Sequence, residues 1–232
     1  MKRNYQTDAS YSINDQDLIR QIAFHEAGHA AAIYLYNKQK QLPSVYFQIA
    51  ITPLKRQKNR LLHTGSMTHN HFAAAVEGGH LIHSLPVALL ESTHYFSPSE
   101  QDAYQTAFEA DMTNLLIGPL AEAKHVALRD NEQFNAQLIN INALHNYGGT
   151  SDLNKVYEYL DIFIGDRSRH PEKLAELFDR AFQFISSSAH WQSVQRLADY
   201  ILNNKENIIS CEEAIAVLDK TKDESPALFC RG

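Results

Sequence analysis

One short run constrains this chain more than any other: Phe24-His25-Glu26-Ala27-Gly28-His29-Ala30. It reads His-Glu-x-x-His inside a helical pattern whose apolar positions are Leu18, Ile22, Ile33 and Tyr36. The spacing predicts a helix from about Asp15 to Asn37. Residues four apart share one helix face, so His25 and His29 can offer ring nitrogens to a single ion. Glu26 follows the first ligand directly and can reach a water held by that ion. The neighbours of the two histidines are apolar (Ile22, Ala23, Phe24, Ala30, Ala31, Ala32, Ile33). Histidines on such a face need polar partners, and a metal supplies one. The bland alternative is two exposed helix histidines beside a solvated glutamate. Ala27 and Gly28 keep the helix surface low, and Gly28 costs about 1 kcal/mol of helix stability against alanine.

That pattern has a known mechanical content: two zinc-binding imidazoles and a glutamate acting as general base in peptide hydrolysis. Zinc lowers the pKa of a bound water to about 7. Glu26 would take its proton and later pass it to the leaving amine. A catalytic zinc also needs a third protein ligand. Two common extensions of the motif are missing, since Ala32 and Leu35 stand where a glycine and a histidine would be required. Ile49 falls where a downstream glutamate would be sought. The third ligand must therefore be more distant.

The 232 residues carry a formal net charge of −6, which argues against nucleic-acid binding. Two cysteines, Cys211 and Cys230, make no disulfide framework. No apolar run approaches the ~20 residues of a membrane span. Residues 1–14 lack the apolar core of a signal peptide. The expectation is a cytoplasmic protein with no membrane insertion.

Residues 1–13 read as a flexible lead-in, with Ser12 and Asp15 resembling a capping box. Val45–Thr52 is β-branched and aromatic and reads as a strand ended by Pro53, followed by a basic loop over residues 55–60. Leu61–Thr68 is a second candidate strand with Gly65 inside it. Residues 69–98 are rich in histidine (His69, His71, His80, His83, His94) without a four-ligand zinc pattern, and read as cleft lining or a flap. A helix is expected to begin after Ser97-Pro98-Ser99-Glu100, read as a cap, and to run to about Ile117, interrupted by Gly118-Pro119 and resumed over Leu120–Arg129. Residues 130–147 mix helix and loop. Gly148-Gly149 makes a turn, and Thr150 or Ser151 caps a helix over about 151–164. Asp152 lies in its first turn, where the helix dipole favours a carboxylate. On local grounds Asp152 is an ordinary N-terminal aspartate. Helices follow at about 171–188, 190–204 and 211–220, and residues 221–232 read as a disordered tail. The bland role of Tyr34 and Tyr36 is packing. The fold class is mainly α (α+β): a helical domain with a small sheet, then a C-terminal helical bundle over about 171–220.

Taken together, IAFHEAGHAAA, VYFQIAITP followed by LLHTGSMTH, LLIGPLAEA, and GGTSDLNKVYEYL resemble four segments of the zinc peptidase domain of FtsH-type AAA+ membrane proteases. The resemblance covers about residues 14–220. It implies a zincin-like fold and Zn2+-dependent cleavage of peptides or unfolded protein segments. It assigns His25, His29 and Asp152 as metal ligands and Glu26 as the base. Glu122 becomes a partner behind a ligand histidine, or a runner-up for the third ligand. Extended substrate is expected to add to a strand edge at Gly65, Ser66, Met67 and Thr68. The chain departs from the family pattern. It shows no ATPase phosphate loop and no membrane span, and the family's Gly-Gly-Arg is here Gly118-Pro119. The expectation is an ATP-independent metalloendopeptidase. The family's hexamer and a separate ATPase partner stay open, as does an alternative: a zinc-binding, proteolytically silent adaptor.

Overall fold

The computed structural model describes residues 15–52, 73–82 and 98–220. Its elements, in order, are α1 (Asp15–Ala31), a π-helical turn (Ala32–Tyr36), the short α2 (Asn37–Gln39), β1 (Phe47–Thr52), β2 (Ala73–Gly78), α3 (Pro98–Arg129), a 3-10 segment (Ile141–Tyr147), α4 (Thr150–Phe163), a 3-10 turn (Arg167–Arg169), α5 (His170–Ser186), α6 (Ser188–Asn203), β3 (Ile208–Ile209) and α7 (Cys211–Leu218). The described chain is mainly α with a small antiparallel sheet, as the sequence predicts.

α1 is the central element. From Gln21 to Ile33 every residue is buried, so the helix has no solvent face in this part. It packs on α3 and α6 and touches β1 and β2. The predicted helix to Asn37 is continuous, but its end is π-helical over Ala32–Tyr36, directly after the histidine motif. Such bulges re-aim side chains, and they concentrate at functional sites. Tyr36 is buried edge-on to Phe184, while the Tyr34 hydroxyl donates to Asp219 at 2.5 Å, so both tyrosines serve packing and tethering.

The sheet has the order β2-β1-β3, with Ile49 opposite both Val76 and Ile209. Phe47, Ile49 and Ile51 face the core at every second residue of β1, the period a half-buried strand requires. The strand paired with β1 is Ala73–Gly78, inside the stretch read as a flap; the predicted strand Leu61–Thr68 lies outside the described residues. Alanine and glutamate are weak strand formers, so this strand is made by pairing and burial rather than by local preference.

α3 corrects another expectation. It runs unbroken from Pro98 to Arg129 with Pro119 inside it. Proline in a helix interior costs about 3 kcal/mol and removes one N–H from the ladder. Packing outweighs that cost, because residues 107–124 are buried throughout.

α4 corrects a third. Neither Thr150 nor Ser151 caps it; Gly149 occupies the N-cap without a side-chain bond. Gly148 is left-handed (φ 70°), and a Cβ on Gly149 would stand 2.8 Å from Pro119 Cβ. The two glycines thus seat the start of α4 directly against the proline of α3. The last helices follow their predicted bounds closely, with Pro171 in the first turn of α5 and a Ser210–Glu213 capping box on α7. No helix among the described residues is long and apolar enough to cross a membrane.

Candidate metal centre

α1 delivers His25 and His29 from adjacent turns, and α4 delivers Asp152 from its own first turn. The sequence separation is 127 residues between His25 and Asp152, yet His25 Nε2 lies 3.2 Å from Asp152 Oδ2. His29 Nε2 lies 3.5 Å from Asp152 Oδ1 and 3.1 Å from His25 Nε2. The three side chains are 1–3% exposed. Each offers a ligand atom within 4.8 Å of the others, a group that can hold a metal ion.

The outer nitrogens fix the tautomers. His29 Nδ1 donates to the carbonyl of Asn114 at 3.0 Å, because a carbonyl can only accept. His25 Nδ1 faces Glu122 Oε2 at 3.0 Å and the carbonyl of Tyr147 at 3.2 Å, so it too carries a proton. With both imidazoles neutral, as metal ligation requires, their Nε2 lone pairs would point at each other and at a carboxylate. Asp152 Oδ1 is buried and accepts no hydrogen bond. Lone pairs converging on one dry point require a positive charge there.

The electrostatics express the same demand. Burial alone would lower the His25 pKa; hydrogen bonds to Asp152 and Glu122 and the charges of Asp152 and Glu26 overcome it and push it up to about 10. Burial would raise Asp152, but the neighbouring His29 and His25 hold it well below the usual carboxylate range. A proton on His25 Nε2 or a metal ion among the three side chains answers the demand. The donor set of two imidazoles and a carboxylate, backed by carboxylate and carbonyl partners, fits a metal ion.

Asp152, rather than Glu122, completes the three-atom group. Glu122 stands behind His25, on the ring nitrogen that faces away from Asp152. Glu26 is 3% exposed, and its Oε2 accepts the backbone N–H of Val76 in β2 at 2.8 Å. Gly118 of α3 leaves room for His29: a Cβ there would stand 2.2 Å from Nε2. Gly65, Ser66, Met67 and Thr68 lie outside the described residues, as do His69, His71, His83 and His94. His80 is half-buried and lines a small pocket beside His29 with Ile33, Val76, Asp111 and Asn114.

Sequence reasoning missed Asn114, Tyr147 and Val76, because each contributes through its backbone and leaves no side-chain signal. It also missed Asp111, which is buried three residues before Asn114. Comparison of the chain with protein-family models, curated proteins and solved structures found no match.

Proposed function

We propose that this chain is an ATP-independent zinc metalloendopeptidase of the FtsH-type peptidase kind, acting on peptides or unfolded protein segments. One observation carries the proposal: the Nε2 atoms of His25 and His29 and the carboxylate of Asp152 converge in a buried site, with Glu26 next to the first ligand on the same helix. Two imidazoles and one carboxylate suit zinc among the divalent ions. Zinc bound there supplies Lewis acidity to a peptide carbonyl and acidifies water to near neutral pH. With zinc bound, His25 and His29 would each present Nε2 as the ligand atom, because Glu122, Tyr147 and Asn114 hold their Nδ1 protons. The carboxylate of Glu26 takes the proton of the attacking water and returns it to the leaving amine nitrogen. The substrate edge expected at Gly65–Thr68 lies beyond the described residues; among the described strands, β2 is the sheet edge next to Glu26.

A second reading has its own support. The ligands and Glu26 are at most 3% exposed, and Glu26 is engaged by Val76. A closed centre of this kind suits a metal-binding adaptor that needs a partner, such as a separate ATPase, to open it.

Cleavage of unfolded casein with matched metal analysis, for the wild type and Glu26→Gln, separates the two. The peptidase reading expects zinc in both proteins and cleavage only by the wild type. Zinc in both with cleavage in neither selects the adaptor. Absence of bound metal from both removes the basis of either reading.

A further inference from the structure

One turn of α3 holds two sides of the centre. The carbonyl of Asn114 takes the Nδ1 proton of His29 at 3.0 Å. Asp111, three residues earlier and 1% exposed, accepts the Leu81 N–H on Oδ1 at 3.0 Å and the Ile82 N–H on Oδ2 at 2.9 Å. Both carboxylate oxygens are thereby committed to the segment that leaves β2. At the end of the strand, its last residue Gly78 and the following Gly79 are both left-handed (φ 84° and 79°), and the Gly79 N–H donates to the carbonyl of Tyr46 at 2.9 Å. A Cβ on Gly79 would stand 2.4 Å from Ile33 Cδ1, in the π-helical turn that follows the histidine motif. β2 is thus tied to α3 at its exit and pressed against α1. Two residues before Gly78, Val76 gives its N–H to Glu26.

We propose that Asp111 is a positioning residue for Glu26: by gripping the N–H groups of Leu81 and Ile82 it fixes β2, and through the Val76 N–H it fixes the carboxylate of Glu26. The consequence for catalysis rests on the reading of Glu26 as general base; the mechanical link does not. The titratable groups near Asp111 are Tyr159 from α4, whose hydroxyl feels its charge, and His80 and His29, which line the same small pocket. Among the described residues no lysine or arginine pairs with it. Burial pushes the Asp111 carboxyl up to about 6, with the N–H bonds from Ile82 and Leu81 drawing it back down. A buried carboxylate without a counter-ion is a poor way to fill a core. Its two oxygens, however, match two neighbouring N–H groups, which an amide or an apolar side chain cannot do.

The test uses the full chain as wild type, Asp111→Asn and Glu26→Gln, with amide hydrogen exchange, unfolding temperature, metal content and casein cleavage. Asparagine keeps the shape but accepts at one atom and turns an NH2 toward the second N–H. In Asp111→Asn, exchange at Val76 and at Leu81 or Ile82 is expected to rise roughly tenfold or more, the equivalent of one lost hydrogen bond. Metal content and unfolding temperature stay near wild type, and kcat falls while KM holds. In Glu26→Gln only Val76 is expected to accelerate. Wild-type protection of Val76 in Asp111→Asn overturns the proposal. So does a general rise in exchange with a lower unfolding temperature, which marks a merely structural role. Asp111→Ser repeats the comparison without added bulk if the asparagine variant does not fold. A wild type that cleaves nothing but shows this exchange pattern removes the peptidase reading and leaves the Asp111–Glu26 link standing.

Discussion

Glu122 Oε2 sits 3.0 Å from His25 Nδ1 across 97 residues of sequence. That contact orients the imidazole so that Nε2, and not Nδ1, faces Asp152 and His29. Carboxylates placed behind ligand histidines raise their basicity and fix the tautomer. Glu122→Gln keeps a hydrogen bond but can present either an acceptor or a donor, so the ring loses its fixed orientation and its full negative partner. Metal affinity is expected to fall roughly 10–100-fold, measured by competition with a chelator. An unchanged affinity would mean that the Tyr147 carbonyl, 3.2 Å away, holds the ring by itself.

Metal binding should be strongly pH-dependent. In metal-free protein prepared by chelation, His25 has its pKa raised to about 10, against the burial that lowers it, by Asp152 and Glu122. A ligand must be deprotonated, so binding displaces that proton. Apparent affinity, corrected for the chelator's own titration, is expected to rise about tenfold per pH unit from pH 6 to pH 9. The sign for stability is opposite. A folded pKa raised above the unfolded value near 6.5 stabilises the metal-free fold fully below pH ~6.5, and this is lost as pH rises through about 10. Affinity independent of pH would show that His25 is already neutral without metal.

Gly118 and Gly28 bring α1 and α3 together, and their substitution should have different readouts. Alanine in an exposed helix interior gains about 1 kcal/mol over glycine. At Gly118 the new Cβ would meet His29 Nε2 at 2.2 Å and Cε1 at 2.4 Å. Gly118→Ala is therefore expected to lose most of its metal, with His29 displaced. At Gly28 the Cβ would meet Ala121 Cβ at 2.7 Å and the carbonyl of Ile117 at 3.0 Å. There the helices themselves must separate, and the expected loss is about 1–3 kcal/mol in denaturant unfolding. Wild-type metal content in Gly118→Ala would show that His29 has another rotamer available.

Legibility followed the range of the forces involved. α5, α6 and α7 could be read because Leu177, Phe178, Ala181 and Ile185, with their neighbours on α6, repeat at helical spacing and are buried at that spacing. His25, Glu26 and His29 could be read because one helix carries all three. Asp152 could not be assigned from its surroundings, since an aspartate in a first helical turn is favoured by the dipole whether or not a metal is near. Its place at the centre comes from the Gly148-Gly149 turn seated on Pro119, a contact between segments 30 residues apart. The same proline suggested a break in α3, because the sequence does not display the burial that keeps the helix continuous. β2 was hidden by its composition, Ala-Ala-Ala-Val-Glu-Gly, which carries little strand preference of its own.

Asp111 sets a stability profile that distinguishes it from an ordinary carboxylate. Burial raises its folded pKa to about 6, above the unfolded value of 3.8. Between those values the folded state binds a proton that the unfolded state does not, so stability falls as pH rises from about 4 to 6 and is flat above. The difference corresponds to about 3 kcal/mol. Asp111→Asn removes this dependence. The variant avoids the charge-burial cost but leaves one backbone N–H unmatched, at about 1–3 kcal/mol. Near pH 7.5 the two effects offset, so unfolding free energy is expected within about 1 kcal/mol of wild type. Near pH 4 the wild type is expected to be the more stable protein, because its carboxyl is then neutral and still accepts one N–H. Urea unfolding of both proteins at pH 4, 5, 6 and 7.5 checks this, with the wild-type minus variant difference as the readout, since other groups titrate in both. A difference that does not change with pH would show that Asp111 stays ionised throughout, held by Leu81 and Ile82 more firmly than its burial opposes.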